Sequence, residues 1–246
     1  MKNITLITAS ATVALSMTAA SADITGCYYH GYEASSATFG GDLISCYVVD
    51  MYMTSNDARD RLLNVYNANI TNSLGEVSYY QSITNVGWIP NLQESPFDTG
   101  AARYLDSFVS IGGRNLDGSE SLDIDGNLIQ MGGNGTGTDP NFGGNTVNAP
   151  GENAGWYNGN PGYPIGLGYV NENLPGELGE NLSIFIGRFS LQDSGEFDLS
   201  GELSVTWNQD IGLPGNQATF EIMEVPTPGA LALLGVAGMA SRRRRN

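Results

Sequence analysis

Period-two alternation of apolar and polar residues runs through most of this chain, framed by an apolar stretch at each end. Short runs rich in Val, Ile, Tyr, Phe and Thr lie at 24–32, 42–53, 62–68, 77–83, 104–111, 127–131, 182–191, 202–207 and 218–223. Gly, Pro, Asn or Asp residues, which turn a chain, punctuate these runs, and each run is predicted as a β-strand. Within 203–207, Leu203, Val205 and Trp207 make an apolar face against Ser204 and Thr206. Within 183–190, strict alternation puts Ile184, Ile186 and Arg188 on one face and Phe185, Gly187 and Phe189 on the other. Runs 24–32 and 42–53, the second opening after Gly40-Gly41, are predicted to pair as a hairpin. One segment, 55–63, has helical character, with Ser55 as its N-cap. The stretch 132–164 is crowded with Gly, Asn and Pro and is predicted as a long irregular loop. Many short strands and no helix-length apolar face in the body predict an all-β fold, an antiparallel β-sandwich or jelly roll.

The two ends read differently. Residues 1–22 carry Lys2, an apolar and hydroxyl-rich run, and then Ala20-Ser21-Ala22. Small residues at Ala20 and Ala22 complete the grammar of a secretory signal peptide, so Sec-type export and signal-peptidase cleavage before Asp23 are expected. At the far end, Pro226 and Pro228 prevent a helix from starting earlier. The uncharged stretch 229–240 then suits an apolar helix with its backbone bonds closed internally. Arg242, Arg243, Arg244 and Arg245 follow and favour the cytoplasmic side. The apolar run is short of the roughly 20 residues that span a bilayer, so a transient anchor is expected. The chain thus divides into a signal peptide (1–22), a single β-domain (23–224) and a sorting or anchor segment (225–246).

The order of Pro226-Thr227-Pro228, apolar helix and arginine block resembles the PEP-CTERM sorting signal of bacteria. Where that family usually has glutamate, this chain has Thr227. The resemblance implies recognition by an exosortase, a membrane-embedded cysteine transpeptidase that removes the tail. An ordinary tail anchor that is never cut is the other reading. Segments 57–68, 106–113, 155–161 and 182–189 also resemble segments found, in this order, in exported planctomycete proteins with such tails. That likeness implies a class and an address, and no catalytic residue.

Charge narrows the partners. The full chain is formally −16, and five of its ten basic residues (Lys2 and the four terminal arginines) lie in the end segments, which hold no acid. The remainder therefore has 5 basic against 26 acidic residues, or −21. Such a surface repels nucleic acid and anionic headgroups.

Cys27 and Cys46 are the only cysteines. In an exported protein such a pair is expected to form a disulfide, stapling the hairpin and stabilising it by roughly 3 kcal/mol. His30 is the sole histidine, which leaves no spare base for a reactive thiol.

No catalytic residue emerges. The chain has no Gly-x-Ser-x-Gly elbow, P-loop, His-Glu-x-x-His or Cys-x-x-Cys. No cofactor is expected, and calcium is the one ion a local pattern suggests. The metal candidate is Asp117, Asp123, Asp125 and Asn127, of which the last three begin like an EF-hand loop. Leu128 stands where that loop needs glycine, and acidic turns joining strands are the alternative. Trp156 and Tyr157 are candidate glycan contacts, with burial of Trp156 as a loop anchor the other reading. The function expected from these features is that of an exported surface or extracellular-matrix protein associated with exopolysaccharide. The alternatives are a carbohydrate-binding module, calcium-assisted or not, and a glycan-active hydrolase whose paired carboxylates leave no local pattern.

Overall fold

A computed structural model of the chain describes residues 23–37, 41–81, 88, 105–112, 136–144, 148, 150–159, 182–209 and 213–225. Its strands are β1 (Ile24–Ala37), β2 (Leu43–Ser55), β3 (Arg61–Asn72), β4 (Phe108–Val109), β5 (Thr136–Thr138), β6 (Ala154–Asn158), β7 (Ser183–Gln192), β8 (Leu199–Asn208) and β9 (Asn216–Glu224). The all-β expectation holds. The strands form one nine-stranded sheet in the order β4-β7-β2-β1-β9-β8-β3-β6-β5.

The expected sandwich or jelly roll was antiparallel throughout, and here one pair differs. β1 and β9 run parallel, joined only through Cys27–Ile222, Tyr28–Met223 and Tyr29–Glu224. This short seam links two antiparallel halves, and the sheet curls until its ends nearly meet. The Trp156 indole of β6 donates to the Ser110 carbonyl, just beyond β4, at 3.0 Å. Phe142 and Trp88 fill the gap between the ends, with ring centroids 6.1 Å (Phe142–Trp156) and 5.7 Å (Trp88–Phe142) apart. Among the described residues, aromatic packing and not strand pairing brings the two ends of the near-barrel together.

Both halves face one apolar core. Cys27, Tyr29, Val49, Met51 and Met53 from β1 and β2 meet Leu62, Val65, Leu203, Val205 and Trp207 from β3 and β8. The predicted apolar face of β8 is the face that is buried. β2 is covered on both sides from Cys46 to Ser55 apart from Tyr47, which explains its unbroken apolar run. Its second face carries Tyr52, packed with Phe108, Phe185 and Val225, and Val48, packed with Cys46 and Leu105.

Three expectations about elements are corrected. The segment 55–63 is not a helix: Ser55 ends β2, 56–60 turn, and 61–63 open β3. Ser55 does cap it, accepting from the Asp57 amide at 3.0 Å, but Asp57 Oδ1 then accepts from the Arg59 amide at 2.9 Å. These local side-chain bonds offer the backbone an alternative to helix. Residues 77–81 form no strand, although the Tyr80 amide donates to the Ser190 carbonyl at 2.8 Å. The predicted irregular loop 132–164 contains β5 and β6, which pair antiparallel through Thr136–Asn158 and Thr138–Trp156. The predicted strand 127–131 lies outside the described residues, as do the signal-peptide segment and the apolar tail. Among the described residues no helix is long and apolar enough to cross a membrane.

Candidate functional site

The most concentrated polar chemistry lies on the second face of β1, β2 and β7. β7 carries a bulge: Met51 pairs with Gly187 and Tyr52 with Phe185, leaving Ile186 as an extra residue. Ile184, Ile186, Phe189 and Leu191 all reach the core. The predicted alternation is thereby corrected, because beyond the bulge the faces exchange and Arg188 leaves the side of Ile184. It comes to lie opposite Asp50. Arg188 Nε and Nη2 donate to the two Asp50 oxygens, each at 2.6 Å. Nη2 also donates to the Tyr32 hydroxyl at 2.8 Å, which donates to Asp50 Oδ2 at 3.1 Å. The His30 ring stacks on Tyr32 with centroids 5.8 Å apart. Asp50 and Arg188 are each 2% exposed. Burial alone would lower the guanidinium, but the Asp50 charge beside it outweighs that and raises Arg188 above its ordinary value. A carboxylate held by a bidentate guanidinium is not a free base, so this cluster locks three strands together and does not offer acid–base chemistry.

A second polar group sits in the β2–β3 turn. Asp60 is fully buried and accepts from Ser55 Oγ at 2.6 Å and from Gln209 Nε2 at 3.3 Å. Desolvation raises its carboxyl above the ordinary range, against the opposing hydrogen bonds from Ser55 and Gln209. Asp57 is held in the opposite direction, to about 2, by hydrogen bonds from Arg59. Carboxyls pushed apart in this way resemble a glycosidase pair, but the buried Asp60 has no path to a substrate. Among the described residues no group of three or more acids, histidines or cysteines is placed to hold a metal. Asp117, Asp123, Asp125 and Asn127 lie outside the described residues.

The disulfide expectation is corrected. Cys27 stands opposite Met53 and Cys46 opposite Ala34, so the two are seven residues apart along both strands (27 to 34, 46 to 53). At the rise of a β-strand that is about 23 Å, far beyond the reach of an S–S bond. The two cysteines also belong to different faces, Cys27 in the central core and Cys46 in the cluster with Val48. Both are free, buried thiols, with Cys46 pushed up to about 11 by burial and Cys27 raised further by complete burial.

The glycan-contact pair separates. Trp156 is fully buried in the closure between β6 and β4, which removes it as a ring for sugar stacking, while Tyr157 faces out and is 45% exposed. The fold instead builds an open cleft that sequence reading does not find. It lies beside the end of β3, holds about 520 Å³, and is floored by Ile70, Val77 and Tyr79. Thr71, Asn72, Glu76 and Asn148 add its polar groups. These residues come from a strand end, the Asx-type turn in which the Leu74 amide donates to Asn72 Oδ1 at 2.9 Å, and a distant segment. No local motif could have joined Asn148 to Asn72.

Pro226, Thr227, Pro228, Arg242, Arg243, Arg244 and Arg245, like Ala20 and Ala22, lie outside the described residues. Comparisons with protein-family models, curated proteins and solved structures find no match for the chain.

Proposed function

We propose that this is an exported, non-enzymatic protein of the cell surface or extracellular matrix, built on a sandwich-type scaffold and delivered by its C-terminal PEP-CTERM-like segment. In this reading the Sec translocon exports the chain, signal peptidase cuts before Asp23, and an exosortase-type transpeptidase removes the tail. The apolar stretch anchors the chain in the membrane only until that cut.

The observation that carries the proposal is where the domain is tied off. The Asp23 amide donates to Asn56 Oδ1 at 2.8 Å, and the Asn56 amide donates to the Asp23 carbonyl at 3.2 Å. At the other end the Val225 amide donates to the Tyr29 carbonyl at 2.9 Å, and its side chain is 5% exposed. Among the described residues the outermost ties therefore abut both expected cuts, and both cuts would spare every described strand. An ammonium freed at Asp23 could still donate to Asn56. A non-enzymatic role is supported by two buried acids that are spent on structural partners: Asp50 on Arg188, and Asp60 on Ser55 and Gln209.

The test compares the full chain with a deletion of 226–246 and with alanine at the four terminal arginines. The full chain should mature to a shorter extracellular form. The deletion should be exported but released without a membrane-bound stage, and the arginine variant should accumulate as a larger membrane-bound species. Accumulation of the full chain in the cytosol would overturn the proposal.

A further inference from the structure

We infer that the cleft beside the end of β3 binds a neutral saccharide unit. Its size of about 520 Å³ falls within the range of small-ligand sites. Its chemistry selects among ligands. Among the described residues no lysine or arginine lines it, so none of them neutralises a phosphate, sulfate or uronate there. Its one carboxylate among the described residues, Glu76, is too little for a specific cation. What remains is an apolar lining of Ile70 and Val77 beside amide and hydroxyl groups that both donate and accept. A pyranose fits that combination, since its C–H face prefers an apolar floor and each hydroxyl offers one donor and two acceptor positions.

The polar groups are already held in place. Asn72 is fixed at both ends of its amide, accepting from the Leu74 amide and donating to the Tyr79 hydroxyl at 3.3 Å. One Asn72 N–H is left over. The Tyr79 hydroxyl accepts that bond and keeps its own proton for an acceptor, on a side chain that is 94% buried by its 6% exposure. Asn148 Oδ1 accepts from Ser78 Oγ at 3.3 Å, which orients the amide and leaves its NH₂ free to donate. Fixed donors of this kind lower the ordering cost of binding. The inference is independent of the tail: a protein sorted as proposed above but blind to sugars would leave that reading standing, and the reverse also holds.

The test uses the purified full chain, titrated calorimetrically with cellobiose, maltose, mannobiose and N,N′-diacetylchitobiose, and with a glucuronate disaccharide as the acidic control. At least one neutral disaccharide should bind saturably, and the acidic one should not. Tyr79→Phe and Asn148→Ala should each weaken binding about tenfold, the effect of one lost hydrogen bond, while both variants stay folded. Absence of saturable binding to every neutral disaccharide, preference for the acidic one, or binding indifferent to both Tyr79→Phe and Asn148→Ala would overturn the inference.

Discussion

Arg188 faces Asp50 across β7 and β2, and it does so because Ile186 is one residue too many for the ladder. Without the bulge, Arg188 would share the core face with Ile184. With it, a full charge pair is buried on the opposite face at 2.6 Å. Replacing either partner alone with alanine strands a buried charge and should cost about 3–5 kcal/mol, whereas an apolar pair such as Asp50→Leu with Arg188→Met should recover most of the loss. Urea unfolding of the two single variants and the double variant measures this. Additive losses would show that the two charges are not coupled.

Both thiols should survive in the native protein. Cys27 is wholly buried and Cys46 nearly so. A thiol reagent should therefore label neither until denaturant is added and then label both, and reducing agent should change neither mass nor stability. An intact mass lighter by two hydrogens would contradict the β1–β2 register.

All three tryptophans are buried, Trp88, Trp156 and Trp207 being at most 3% exposed. Native fluorescence should be blue-shifted and poorly quenched by iodide. Trp156→Phe removes the indole donor to the Ser110 carbonyl and should cost about 1–3 kcal/mol. Iodide quenching equal to that of the unfolded chain would place Trp156 at the surface instead.

The two turn carboxyls should oppose one another on acidification. Asp60 is raised by desolvation, so its protonation favours the folded state, and its contribution grows as pH falls through its folded value. Asp57 is lowered to about 2 by Arg59, so its contribution is present above the ordinary value of 3.8 and is lost as pH falls toward 2. The urea midpoint of wild type minus that of Asp60→Asn should rise on descending from neutral pH. A flat difference would mean that Asp60 is not held above its ordinary range.

Much of the fold was legible because alternation is a local signal. The face of Leu203, Val205 and Trp207, the β1–β2 hairpin and the all-β class were open to reading residue by residue. What escaped depends on pairing. The Ile186 bulge exists only relative to β2, and no property of residues 183–190 announces it. The cysteines suggest a bond by their number and compartment, yet register places them on opposite faces. Ala154, Trp156 and Asn158 do alternate, but in a stretch so rich in Gly and Asn that the short β6 is hidden. Gly201 makes the same point: its φ of 117° and the close approach of the Asn69 carbonyl leave no room for a side chain, a demand set by β3. The cleft joins Asn72 to Asn148 across 76 positions (148 − 72) and left no trace in the sequence.

The sorting account meets its most direct test in the ends of the mature protein. Peptide mass spectrometry of the native exported molecule should find an N-terminus at Asp23 and a C-terminus that has lost Arg242, Arg243, Arg244 and Arg245. A protein that begins at Met1 and still carries Asn246 would contradict it.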